Sequence, residues 1–362
     1  MPRVIGIDPG TVSLSLCGLD DGRVVLDRSL PTSEALASPS LVADMLRSAG
    51  PIDLIAGPSG YGLPLISVAR LSEIDLRLAY LAPAGEPGGI GGLGALMRAL
   101  AEASLPVLLL PGVIHLTSVP QHRKVNRVDM GTADKVCATA LALSELTGRR
   151  GCQPSDVSFI LLEVGGAFSA AVAVERGQIV DGVGGSSGPM GARAAGALDG
   201  EVAFLAGTVT KEMLFQGGAS TIAGMAHASI ADLAAATTAR AQLAWRAFVE
   251  DAIKSVASLA VSVAGVTDVV MSGRGAAVQR LRDELADRLK TVLPRVSLVS
   301  SDGFVSEASH AAQGAALIAD GLAGGPSAPL VEALGIRDAS GTVLDHLYVI
   351  TASAARKRIG IA

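Results

Sequence analysis

A hairpin that occurs twice constrains this chain more than any other feature. The first copy opens with the apolar run Val4 to Ile7, an acid, Asp8, and the glycine turn Pro9-Gly10-Thr11. A second apolar run, Val12 to Leu19, follows; Asp20-Asp21-Gly22 makes a tight turn, and Arg23 to Asp27 resumes a strand. Displaced by 155 residues, the pattern returns as Ile160 to Leu162, Glu163 and the turn Val164-Gly165-Gly166. Ala167 to Val174, Glu175-Arg176-Gly177 and Gln178 to Asp181 complete it, so that Asp8 falls on Glu163, Gly10 on Gly165 and Gly22 on Gly177. Self-similarity at a fixed offset marks a repeated structural unit. Two such hairpins, each with a carboxylate beside a glycine turn, predict two like domains facing one cleft.

The 362 residues are enough for two cores. Hydrophobic residues make up 49% and charged residues 17%, which excludes a disordered chain. With aromatics at only 3% and a net charge of -5, the chain lacks the stacking platform and basic stripe of a nucleic-acid binder. Cys17, Cys137 and Cys152 have no metal-ligand spacing and read as thiols of a reducing compartment. A strand begins within three residues of Met1, which leaves no room for a signal peptide, and no apolar run is long enough to span a bilayer. The expectation is a cytoplasmic protein with no membrane and no nucleic-acid partner.

Between the hairpins, a helix is expected from Ser38-Pro39 to Ala49 and a short strand at Asp53 to Ala56, running into the stiff turn Gly57-Pro58-Ser59-Gly60-Tyr61-Gly62. Gly85 to Gly94 reads as a mobile glycine-rich stretch before a helix over Ala95 to Ala103 and a strand at Val107 to Leu110. The segment Gln121 to Asp129 gathers His122, Arg123, Lys124 and Arg127, cations suited to an anionic substrate. Thr132 then reads as the N-cap of a helix over Ala133 to Leu146, with Asp134 and Lys135 in its first turn. Gly148 to Gly151 marks the boundary between a domain over 1–150 and one over 151–362. In the second, Gly182 to Gly196 is a candidate phosphate loop and Ser229 to Gly265 is helical scaffold around Trp245. Val266 to Met271 is a strand, followed by Ser272-Gly273-Arg274-Gly275 and a helix over Ala276 to Leu289. Strand, small-residue turn and helix bring backbone N–H groups near a nucleotide. Glu307 to Ala323 is a helix of small residues.

These parts are what phosphoryl transfer needs: glycine turns for the phosphates, hydroxyl donors, and carboxylates for Mg2+ or its waters. Asp8 and Glu163 are the candidate metal-holding acids; Gly10, Thr11, Gly165, Gly166 and Ser169 would surround the phosphates, and Ser272, Gly273 and Arg274 the adenosine. The five segments resemble the signature elements of the sugar kinase, acetate kinase, Hsp70 and actin superfamily, over residues 3 to about 323. That resemblance implies an α/β protein of two RNase H-like (actin-like ATPase) domains, each a mixed sheet with an N-terminal antiparallel hairpin and flanking helices, around a nucleotide cleft. Helix 307–323 would pack back toward the domain interface. The resemblance also implies ATP and Mg2+ as cofactors and a small-molecule acceptor, and a homodimer is expected.

More narrowly, Ile7 to Thr11, Gly57 to Gly62 and Asp129 to Lys135 resemble a family labelled predicted butyrate kinase. Glu163 departs from the superfamily pattern, which has Asp there; its arm is one methylene longer. Asp134 is the candidate base for a hydroxyl acceptor. A carboxylate acceptor needs no base but does need cations, for which Arg123, Lys124 and Arg127 are placed. The residues leave both acceptors open, and the family label favours the carboxylate. Ile5 to Thr11 also resembles the opening of RNase H-like Holliday-junction resolvases, but the repeat at Glu163 and the acidic balance oppose a nuclease. A nucleotide-dependent conformational protein is the third reading; its activator branch holds an iron–sulfur cluster on a cysteine pair that this chain lacks.

Overall fold

The computed structural model describes residues 2–58, 60, 61, 63–83 and 89–361. Ser59 and Gly62 of the turn after the fourth strand, and residues 84–88 of the glycine-rich stretch, lie outside the described residues. The chain forms two compact units, one of Met1–Val128, Thr132–Ser155 and Gly303–Ala362, the other of Asp129–Gly131 and Asp156–Asp302.

In the first unit, β1 (Arg3–Pro9), β2 (Ser13–Asp20) and β3 (Arg23–Pro31) form the hairpin, and β4 (Leu54–Pro58), β5 (Ile66–Ser67) and β6 (Val107–Leu110) extend it. The six strands lie in the order β3-β2-β1-β4-β6-β5. In the second unit, β7 (Phe159–Val164), β8 (Ser169–Glu175) and β9 (Gln178–Val183) repeat the hairpin, with β10 (Asp268–Ser272) and β11 (Ser297–Ser300) beyond it. Their order, β11-β10-β7-β8-β9, is the first sheet without its short fifth strand.

The duplication extends to detail. Both hairpins turn on two residues of positive φ, Asp21-Gly22 and Arg176-Gly177, the pairing that matches the twist of adjacent antiparallel strands. Both carry a register shift at the same offset, between Gly18 and Leu19 and between Ala173 and Val174. In each sheet the acid-bearing strand pairs antiparallel on one side and parallel on the other, β1 with β2 and β4, β7 with β8 and β10. Apolar residues on both faces bury these central strands. The two-sheet α/β architecture expected from the sequence is therefore the one found.

Helices differ from expectation mainly at their ends. The helix after the first hairpin spans Pro39–Ser48, and a further short helix, Thr32–Ala37, precedes it without a side-chain cap. The helix expected from Ala95 already runs through Gly89–Glu102, because packing outweighs the poor intrinsic propensity of its glycines. After Gly273 the chain makes a 3-10 turn, Arg274–Ala277, and the helix proper is Gln279–Val292. The region around Trp245 forms Ile230–Ala235 and Ala239–Ala260; Trp245 is buried, donates to Glu284 at 2.8 Å and lies beneath the Arg280 guanidinium. No helix among the described residues is long and apolar enough to cross a membrane.

Two close approaches shape the first unit. A Cβ on Gly6 of β1 would lie 2.1 Å from the carbonyl oxygen of Ala312, and one on Gly314 would lie 1.8 Å from that of Cys137. The helix His310–Leu322 is thus pressed against both β1 and the helix Ala133–Arg150, at positions that only glycine can occupy.

Candidate active site

Asp8 stands at the carboxyl end of β1, a central strand, and is only 8% exposed. Ligands in open α/β sheets collect beyond such strand ends. The Gly10 turn folds back over it: a Cβ there would lie 3.0 Å from the carbonyl oxygen of Ser13 and 3.6 Å from Asp8 Oδ2. Thr32 donates to the Gly10 carbonyl at 2.5 Å, fixing the turn, and Thr11 is exposed beside it.

Asp134 lies in the first turn of Ala133–Arg150. Thr132 occupies the N-cap position, but its hydroxyl makes no bond to the helix backbone; it donates instead to Asp134 Oδ1. Lys135 Nζ holds Asp134 Oδ2 at 2.5 Å. Burial would raise the Asp134 pKa, but the Lys135 ammonium and the two donors outweigh it and hold the carboxyl below its ordinary value. One turn on, burial drives the Cys137 thiol well above its usual value, and the charges of Asp134 and Asp8 drive it further. The charges of both acids therefore act on one side chain. The Gly60 carbonyl accepts from Ala133 N–H at 3.5 Å, which sets the turn after β4 beside them.

The polar segment has a more divided role. Lys124 is buried and donates to the Leu116 carbonyl at 2.9 Å, so its ammonium serves the fold. Asn126, with φ of 54°, accepts from Tyr348 N–H at 2.7 Å and Val349 N–H at 3.1 Å, tying the segment to the tail. Arg123 is half-buried and Arg127 exposed. Lys124 and Asn126 thus tie the segment to Leu116 and to residues 348 and 349.

In the second unit, Glu163 is the penultimate residue of β7 and lies opposite Ala170 on β8 and Ser272 on β10. A Cβ on Gly165 would lie 3.0 Å from the Phe168 carbonyl and 3.2 Å from Glu163 Oε1, repeating the geometry at Gly10. Gly165 N–H donates to that carbonyl at 2.9 Å. Gly273 has φ of 79°, and a Cβ there would come within 2.6 Å of Glu163 Oε1 and of the Val164 carbonyl. The expected adenosine turn thus rests on the second acid turn. Gly166 is half-buried and Arg274 exposed, but Ser272 and Ser169 are fully buried, and the Ser169 hydroxyl has no hydrogen-bond partner among the described residues.

The candidate phosphate loop at 182–196 is organised by an acid that sequence reading passed over. Asp129 Oδ2 accepts from Ser186 N–H at 2.9 Å and Ser186 Oγ at 2.8 Å, and its carbonyl accepts from Gly184 N–H at 3.0 Å. A Cβ on Gly184 would lie 1.7 Å from Asp129 Oδ1, so this glycine makes room for the carboxylate. Only the position of Asp129 at the end of the polar segment hinted at this.

Asp8 in the first unit and Glu163 in the second each offer carboxylate oxygens, a donor type that suits Mg2+. Among the described residues no three His, Cys, Asp or Glu side chains cluster as a metal cage. A single acid at such a turn fits the habit of Mg2+ to take one or two carboxylates together with substrate phosphates.

The family model described as "Protein of unknown function (DUF1464)" matches residues 6–349. No curated protein matches the chain. Among solved structures, acetate kinase from Entamoeba histolytica is similar at 13% identity and a TM-score of 0.59, covering 83% of this chain and 96% of its own. A propionate kinase from Francisella tularensis subsp. tularensis SCHU S4 gives 14% identity and 0.59, covering 87% and 99%. Acetate kinase from Porphyromonas gingivalis gives 14% and 0.59, covering 87% and 98%. At these identities the likeness is one of fold, and the fold is that of two-domain kinases.

Proposed function

We propose that this chain, which belongs to the family described as protein of unknown function (DUF1464), is an ATP- and Mg2+-dependent kinase that phosphorylates a small carboxylate. The observation that carries the reading is the pair of acid–glycine turns, alike in atomic detail at Gly10 and Gly165, in a chain with a kinase fold. Mg2+ and ATP would supply the phosphoryl group and neutralise charge on its oxygens. Asp8 would hold the ion, and Glu163 is the corresponding acid of the second unit. Backbone N–H groups at Gly10-Thr11 and Gly165-Gly166 would face the phosphates, and Gly273-Arg274 would bound the adenosine.

The state of Asp134 favours a carboxylate acceptor. A general base works best with a pKa near working pH. Asp134 has one oxygen on Thr132, the other on Lys135, and a lowered pKa. A carboxylate acceptor arrives ionised and asks only for positive charge beside it, for which Arg123, Arg127 and Lys135 are the candidates. Short-chain acids of the acetate to butyrate class fit that requirement, in line with the names of the structural neighbours.

The test is ADP release from Mg·ATP across a panel of short carboxylic acids and a matched panel of polyols and sugars. Turnover confined to the acids is the expected result. Turnover only with hydroxyl acceptors would assign Asp134 the base role and overturn the acceptor class; no acceptor-dependent turnover with either would overturn the kinase reading.

A further inference from the structure

We propose that Ser309 is a positioning residue that orients the Asp8 carboxylate for its metal ion, an inference that rests on the kinase reading above. Ser309 Oγ donates to Asp8 Oδ2 at 2.7 Å and accepts from Ala312 N–H at 3.1 Å, so one hydroxyl both caps the helix His310–Leu322 and fixes the rotamer of the acid. Capping alone does not call for serine. Asp and Asn cap as well or better, but an Asp here would set a second negative charge against Asp8.

The segment that delivers this hydroxyl is fixed from three directions. Gly303 N–H donates to Glu145 Oε1 at 2.7 Å. Gln313, 1% exposed, accepts from Phe304 N–H at 2.7 Å and donates to the Ala308 carbonyl at 2.8 Å. The Asp27 carboxylate on β3 collects the N–H groups of Ser306, Glu307 and Ala308 at 3.2, 3.1 and 2.7 Å. Three successive backbone donors on one carboxylate set the path of the chain immediately before Ser309. A merely structural cap would need none of this precision relative to Asp8. Sub-ångström placement of a first ligand is what such supporting contacts supply in metal sites.

The variants Ser309→Ala, Ser309→Gly and Ser309→Thr separate the two roles of the hydroxyl. Alanine removes cap and donor, glycine removes the donor while remaining a tolerated N-cap residue, and threonine keeps both. The readout is the Mn2+ dissociation constant of the full chain saturated with ADP, from the electron paramagnetic resonance of free Mn2+, with thermal denaturation as the folding control. The expected result is a constant at least tenfold weaker in both Ser309→Ala and Ser309→Gly, with Ser309→Thr close to the original chain and Ser309→Gly close to it in heat stability. If the original chain binds Mn2+ with ADP and Ser309→Gly binds it equally well, Ser309 is a cap and nothing more, while the kinase reading stands. If the original chain holds no Mn2+ in the presence of ADP, that reading and this inference both fall.

Discussion

A carboxylate held below its ordinary pKa by an ammonium and a hydroxyl is a weak base towards an alcohol, and Asp134 is in that state. Asp134→Asn is therefore expected to reduce turnover of a carboxylate acceptor by about tenfold or less, well short of the roughly 10²–10⁴-fold attributed to a general base. Steady-state kcat against KM for the acceptor checks this. His115 makes a second residue-scale case. Burial lowers its pKa, the backbone of Ser340, Tyr61 and Gly341 offsets part of the fall, and Lys124 adds to it. Its folded-state pKa thus lies below the unfolded value of about 6.5. The unfolded chain binds the proton more readily, so the stability tied to neutral His115 is present above about pH 6.5 and is lost as pH falls through the folded pKa. Urea titrations between pH 7.5 and 5 are expected to show stability falling with acid, and His115→Gln is expected to flatten that slope; an unchanged slope would remove His115 from the account. Of the residues used here, Asp8 and Glu163 were legible because each is an acid set against a glycine turn in a repeated frame. Ser309, Asp27 and Gln313 were not, since the first two act across some 280 to 300 residues of chain that no local pattern connects. Lys124 misled for the opposite reason. It reads from the sequence as a cation for an anionic substrate, yet it is buried and its ammonium is used on the Leu116 carbonyl.

At the scale of elements, the strands of the two hairpins are legible because apolar runs and two-residue turns are local properties, and the helices less so because their ends depend on neighbours. Gly89–Glu102 starts within a glycine run, where propensity argues against a helix. The helix after Gly273 starts late because Arg274–Ala277 first forms a 3-10 turn. Thr132 was correctly placed at an N-cap position, but its hydroxyl serves Asp134 and not the helix. The small residues of His310–Leu322 signalled close approach, and the approach is real: Gly314 meets the carbonyl of Cys137 and Gly6 meets Ala312. Gly314→Ala is expected to force the two helices apart and to cost about 3 kcal/mol, the upper end of ordinary overpacking, because its obstacle is backbone that cannot rotate away. The midpoint of chemical denaturation measures it, and a cost under about 0.5 kcal/mol would show that the crossing is looser than described.

At the scale of the whole molecule, the sequence repeat announced two related sheets, and their orders and register shifts agree strand for strand. The repeat divides the chain at 150 and assigns residues 303–362 to the second domain, with helix 307–323 packing back toward the interface; that helix, His310–Leu322, lies on β1 and residues 303–362 group with the first unit. Composition argues against a nucleic-acid surface without naming a substrate, and likeness to solved structures at 13–14% identity shows the fold alone. What joins the scales is the claim that the Asp8 turn serves metal-dependent phosphoryl transfer to a carboxylate. Phosphorus NMR of Mg·ATP incubated with butyrate, for the original chain and for Asp8→Asn, tests it most directly. The account predicts ADP and a new acyl-phosphate resonance in equal amounts with the original chain, and a loss of both by orders of magnitude in the variant. Unchanged ATP, release of inorganic phosphate alone across the panel of short acids, or equal turnover in Asp8→Asn would contradict it.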